Sequence, residues 1–179
     1  MNVVAILQAR MGSTRLPNKV MRQIIGVPMI ELLLARLECA TEVDKIVVAT
    51  SEDTRNNLLA DHVSALGYCC YRGSENDVLD RYLQAAKVAA ADVVVRITGD
   101  CPLIDPSMVD EAIFRFKAAG VDYLSNSSPP SYPDGLDIEI FTFAALERAA
   151  HEAEKNSERE HVTLYLRESG KFRQASISN

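Results

Sequence analysis

Tryptophan is absent, histidine occurs three times, and aromatic residues make up only 6% of the 179-residue chain. The four cysteines, Cys39, Cys69, Cys70 and Cys101, form no C-x-x-C pair. That excludes the common zinc spacings and offers no disulfide framework, so free thiols in a reducing compartment are expected. No apolar run approaches the roughly 18 residues of a membrane helix; the stretch from Ile24 to Leu37 is interrupted by Glu31 and Arg36. The opening MNVVAILQAR has no basic segment before its short apolar run, so it does not read as a signal peptide, and the expected location is cytoplasmic. An excess of positive charge is also missing: 19 Lys and Arg stand against 25 Asp and Glu, a net charge of −6. This argues against a general nucleic-acid binder, yet it leaves room for a local basic pocket that takes a small anion. Neither G-x-x-x-x-G-K-[ST] nor G-x-G-x-x-G occurs, which removes the Walker loop and disfavours a nicotinamide dehydrogenase. There is no internal repeat and no low-complexity stretch, and 47% hydrophobic with 25% charged residues excludes a disordered chain.

What is present is an alternation. Short β-branched runs (Val3–Leu7, Lys45–Ala49, Tyr68–Tyr71, Asp92–Ile97, Val121–Ser125, Leu136–Phe141 and Phe172–Ile177) are separated by amphipathic stretches (Pro28–Ala40, Asp53–Leu66, Asp77–Ala90, Pro106–Ala119 and the polar His151–Ser169). Such order predicts a single α/β domain with a mostly parallel sheet and helices on both faces. Asp105-Pro106 is a helix start, and Gly67 and Gly120 sit where left-handed caps are wanted. The long loop Ser125–Gly135 carries three prolines, which rules out a regular helix or central strand there.

The segment AILQARMGSTRLPNKVM runs from the first strand into a loop with Gly12, Ser13 and Thr14 and three cations, Arg10, Arg15 and Lys19. In an open parallel sheet ligands bind at the carboxyl ends of strands. Backbone N–H groups around Gly12 and forked arginine contacts suit phosphate oxygens, so a polyphosphate fits this loop. The strand VVVRI ends in Thr98-Gly99-Asp100-Cys101-Pro102. Asp100 there reads either as a Mg²⁺ ligand or as a turn cap. Arg96 either pairs with a carboxylate or reaches a ligand. Cys101 reads as a small buried thiol. Asp137 and Glu139, two residues apart, share one face and suit a metal, a polar ligand or plain solvent. Asn76 or Asp77 would cap the following helix, with Asp80 and Arg81 as surface charges or cleft residues. His62 and His151 read as surface residues, and His161 as a substrate contact or a solvated helix start.

The order Ala-Arg, Gly-Ser, Arg-x-Pro-x-Lys, carried by Ala9, Arg10, Gly12, Ser13, Arg15, Pro17 and Lys19, resembles the signature of the sugar-acid cytidylyltransferases, the CMP-KDO and CMP-sialic acid synthetases. RGSENDVLDRY, RITGDCPLID, DGLDIEIF and EREHVT extend the resemblance over nearly the whole chain, most closely to the spore coat polysaccharide biosynthesis SpsF type. The resemblance implies a GT-A-like nucleotidyltransferase fold. It also implies attack of a sugar hydroxyl on the α-phosphate of CTP, release of pyrophosphate, and a requirement for Mg²⁺. On this basis Arg10, Arg15, Lys19 and Asp100 are the expected catalytic residues, and Ala9, Gly12, Ser13 and Thr98 join them at the nucleotide. Asn126, Tyr132, Asp137 and His161 are the expected sugar contacts, and Asp100 with Asp137 the expected metal ligands. Thr98 and Cys101 depart from the CMP-KDO synthetases, which carry glutamine and glutamate there. Relatives continue past the equivalent of Asn179 to a further metal-binding aspartate, for which Asp137 or Glu139 would substitute. Relatives are commonly dimers, so a homodimer is expected. Rival readings are a nucleotide- or sugar-binding protein without turnover, and a glycosyltransferase; the missing Asp-x-Asp counts against the latter.

Overall fold

A computed structural model describes residues 1–12 and 16–179. The chain runs β1 (Val3–Gln8), a hairpin of β2 (Gln23–Ile24) and β3 (Val27–Pro28), α1 (Met29–Leu37), β4 (Lys45–Ser51), α2 (Asn57–Ala65), β5 (Cys69–Gly73), α3 (Val78–Val88), β6 (Val93–Thr98), α4 (Pro106–Ala119), β7 (Tyr123–Ser125), β8 (Glu139–Thr142), α5 (Phe143–Glu152), α6 (Asn156–Glu160), α7 (Leu164–Glu168) and β9 (Gln174–Ser176). Seven strands form one sheet in the order β5-β4-β1-β6-β8-β7-β9. β8 is antiparallel to both neighbours, and the other pairs are parallel.

Alternation along the central strands divides the apolar side chains between two cores. Val3, Ala5 and Leu7 pack under α1, α2 and α4. Val4 and Ile6 pack under α3, α5 and α7. Both faces of β1 and β6 are covered, which is why these strands read as unbroken apolar runs. The α/β class, the mostly parallel sheet and the helices on both faces are therefore as expected. α4 has the expected bounds: Asp105 Oδ1 accepts from Ser107 N at 2.8 Å, Pro106 opens the helix, and Gly120 ends it at φ 59°.

Three expectations change. The strand expected from Leu136 begins at Glu139, because Leu136 and Ile138 are held by the side chain of Asn126 instead. The segment His151–Ser169 is not one helix: α5 ends at Glu152, and two five-residue helices follow. Between them Val162 adopts φ 37°, which no continuous helix allows. Arg81 is no surface charge; it is fully buried on α3, where its guanidinium donates to the carbonyl of Ser74.

Candidate active site

β1 and β6 are paired in register from Val3↔Val93 to Gln8↔Thr98, so their carboxyl ends finish side by side. Gly99 N donates to Gln8 O at 2.7 Å, and a Cβ on Gly99 would stand 2.8 Å from that oxygen. Only glycine permits this approach, which brings the first loop and the Thr98–Asp100 turn together. The loop is also braced from β4. Asn56 Oδ1 accepts from Met11 N at 2.8 Å, and Asn56 Nδ2 donates to Ser51 Oγ at 2.7 Å, both out of solvent.

A cavity of about 490 Å³ opens where these ends meet. Gln8, Ala9, Arg10, Gly12, Lys19, Arg96, Thr98 and Asp100 all contribute to its wall. Ser13 and Arg15 lie outside the described residues. Arg10 pairs with Glu75 at 3.1 Å and Lys19 with Asp100 at 3.2 Å. Burial pushes the Asp100 carboxyl up, but hydrogen bonds from Thr98 and Lys19 outweigh it and hold the group below its ordinary value. Cys101 is buried, 3.2 Å from Thr98 Oγ1, and burial pushes its thiol up. That is the setting of an inert thiol rather than a nucleophile.

A second cavity of about 230 Å³ adjoins the first, and Arg96 and Thr98 line both. Asp137, Glu139, His161, Thr163 and Arg167 complete it with Ser127. Asp137 and Glu139 do share a side, but they differ in role. Glu139 is buried and accepts from Tyr123 Oη at 2.5 Å, from Thr163 Oγ1 at 2.7 Å and from Arg96 Nη1. Burial pushes its carboxyl up; Arg96 and these donors more than offset that, so it stays ionised. Asp137 is pushed up by burial and by the charges of Asp134, Glu139 and Asp100. Asp100 and Asp137 are thus near enough to feel one another across the two strand ends. Among the described residues no three His, Cys, Asp or Glu side chains form a metal cluster.

Two expected sugar contacts stand elsewhere. Asn126 is buried, its amide bonded to Leu136 O and Ile138 N, and it closes the base of the long loop. Tyr132 lies within electrostatic reach of Arg115 on α4 and lines neither cavity. His161 does line the second cavity. Sequence reasoning missed Gln8, Thr163, Arg167 and the brace Asn56. An arginine inside the apolar run VVVRI was the one visible signal, since a charge there needs a buried partner.

The model of the cytidylyltransferase family matches residues 4–177. The spore coat polysaccharide biosynthesis protein SpsF of Bacillus subtilis is 33% identical over 170 residues, covering 93% of this chain and 70% of that protein. A 3-deoxy-manno-octulosonate cytidylyltransferase of Pelobacter propionicus is 37% identical over 116 residues, 63% of this chain and 44% of that protein. A solved cytidylyltransferase structure from Leptospira borgpetersenii superimposes with a TM-score of 0.95 at 35% identity, covering all of this chain and 76% of that one. A family match spanning almost every strand and helix, on a sheet whose central strand ends gather cations and a carboxylate, leads to one assignment: the chain belongs to the cytidylyltransferase family of nucleotidyltransferases.

Proposed function

We propose that the chain transfers CMP from CTP to a hydroxyl of an acidic sugar, for surface polysaccharide synthesis. The observation that carries this reading is the pair of cavities joined at Arg96 and Thr98. One is walled by the cationic first loop and suits a nucleoside triphosphate. The other has donors and charged groups on every side and suits a polyol. In the reaction the sugar hydroxyl oxygen bonds the α-phosphorus while the bond to the bridging oxygen breaks. The electron pair leaves with pyrophosphate, and the hydroxyl proton passes to solvent. Such transfer needs positioning and charge neutralisation rather than covalent chemistry by the protein.

Arg10, Ser13, Arg15 and Lys19 would hold the triphosphate, with Ala9, Gly12 and Thr98 beside it. His161 would face the sugar. Magnesium binds through one or two carboxylates plus substrate phosphates, so the pair Asp100 and Asp137 fits it. The ammonium of Lys19 beside Asp100 indicates that a cation is favoured there. Glu139 does not fit that role, because three donors already engage it. When bound, the metal would supply charge neutralisation at the phosphates.

The test is thermal unfolding with CTP, UTP, ATP or GTP, each with and without Mg²⁺. A ligand at 100 times its Kd stabilises by about 2.7 kcal/mol. That shifts the midpoint by about 5–11 °C for a domain of this size. A shift specific to CTP, followed by pyrophosphate release with KDO or N-acetylneuraminate, is the expected result. The same midpoint with every nucleotide would overturn the reading.

A further inference from the structure

We propose that Arg96 grips the α-phosphate of CTP, the group at which the two substrates meet, from the wall between the two cavities. The assignment rests on the cytidylyl-transfer reading. The α-phosphorus belongs to the nucleotide but must be touched by the attacking hydroxyl, so it lies where the cavities join. Among the described residues, two line both, Arg96 and Thr98. The hydroxyl of Thr98 is engaged with Cys101 Sγ. That leaves the guanidinium of Arg96, the one cationic side chain among the described residues that lines both cavities.

Its placement is built rather than incidental. Nη1 donates to Glu139, Nη2 reaches Gln8 Oε1 at 3.5 Å, and the guanidinium carbon lies 5.9 Å from the centre of the Tyr82 ring. Glu139 is fixed in turn by Tyr123 and Thr163. After these contacts Arg96 Nε is buried with no hydrogen-bond partner among the described residues. A buried N–H left without a partner is costly. The side chain that carries it lines both cavities, where a phosphate would meet its guanidinium in charge-assisted bonds. A buried ion pair is by itself weak evidence for stability, so structure alone does not explain an arginine in this strand. Arg10 and Lys19 lie on the first loop and suit the outer phosphates, which become the leaving pyrophosphate. Arg96 is then the substrate-touching residue at the reacting atom, and Glu139, Tyr123 and Thr163 position it.

The experiment needs no knowledge of the sugar. Protein labelled with ¹⁵N arginine is titrated with CTP, CMP, cytidine and pyrophosphate, and the Nε–H resonance of Arg96 is assigned by its loss in Arg96→Lys. CTP and CMP, which carry the α-phosphate, are expected to move that resonance; cytidine and pyrophosphate are not. Arg96→Lys keeps the charge but loses the fork. It should weaken CTP binding about tenfold or more and leave pyrophosphate affinity unchanged. Tyr123→Phe removes one support of Glu139, and should broaden the Arg96 resonance and weaken CTP binding less. If Arg96→Lys does not fold, the response of the wild-type resonance, assigned through Tyr123→Phe and Thr163→Val, still decides. A CTP-induced thermal shift with an unmoved Arg96 resonance, or unchanged CTP affinity in Arg96→Lys, would overturn the assignment while leaving the function intact. No thermal response to CTP would instead remove the function beneath it.

Discussion

Replacing Gly99 with alanine tests the join between the two strand ends. The added Cβ would stand 2.8 Å from Gln8 O, 3.1 Å from Ala9 Cβ and 3.3 Å from Ala9 Cα. The first contact is about 0.6 Å inside ordinary van der Waals distance, and two of these atoms are backbone, so no side chain can rotate away. Relief requires the end of β1 to move from β6, which stretches the 2.7 Å bond from Gly99 N to Gln8 O. Overpacking of this kind costs about 1–3 kcal/mol. At about 2–4 °C per kcal/mol the melting midpoint should fall by roughly 2–12 °C. The displaced residues are the entry to the first loop, so CTP affinity should fall with stability. Thermal unfolding followed by circular dichroism and a CTP titration read both effects. Gly120→Ala is the control: its positive φ of 59° makes alanine strained there, yet nothing lies within 4 Å of the new Cβ. That variant should lose about 1 kcal/mol and bind CTP as the wild type does. A Gly99→Ala protein with unaltered midpoint and CTP affinity would refute the close-approach argument.

Asn56→Ala should leave Met11 N buried without an acceptor, lower stability by about 1–3 kcal/mol and weaken CTP binding in calorimetry, because the loop loses its brace. Asp100→Asn should remove the Mg²⁺-dependent part of CTP binding at little cost to the fold, since its pair with Lys19 is half exposed; intact Mg²⁺ dependence would move the metal elsewhere. Burial pushes the Cys70 thiol from 9.0 up to about 11, so between these values the unfolded chain releases its proton while the fold retains it. Stability should therefore fall as pH rises from about 9 to about 11. Cys70→Ala should flatten that part of a urea-midpoint profile, and an unchanged slope would refute the assignment.

Local signals were legible where the chain settles them locally. Asp105, Pro106 and Gly120 delimit α4 because caps act over a few residues. β1 and β6 read correctly because both faces are buried, and the first loop was visible from its cations and small residues. The errors have the opposite cause. Leu136 reads as strand, but its carbonyl is taken by Asn126, ten residues away. Arg81 reads as a surface charge or a cleft residue, because a charged residue on a helix usually faces solvent, whereas here α3 turns it inward toward Ser74. Asn56 carries no signal, since an asparagine in a turn looks the same whether or not it braces a distant loop. Glu139 and Arg96 were each ambiguous alone; their partnership depends on β8 lying beside β6, which connection order does not dictate.

The charge pattern of the site explains how an acidic chain would bind a polyanion. Arg10, Lys19 and Arg96 line the first cavity, and each faces a carboxylate: Glu75, Asp100 and Glu139. The first two pairs are partly exposed, and such pairs are worth about 0–1 kcal/mol, so a phosphate displaces either carboxylate cheaply. The third is buried and braced by Tyr123 and Thr163, so it does not exchange. Binding a triphosphate would therefore free the two loop cations and leave Arg96 where it stands. It would also leave Glu75 and Asp100 without counter-ions beside a polyanion. Glu75 has Arg81 close by, a buried cation with two nitrogens unpartnered among the described residues. Asp100 keeps the hydrogen bond from Thr98 but has no second cation beside it among the described residues, and it feels the like charge of Asp137. A divalent ion bound there, as proposed, would restore the balance. On the proposed reading, nucleotide affinity should depend on Mg²⁺ because Lys19 releases Asp100, most strongly for the triphosphate and most weakly for CMP.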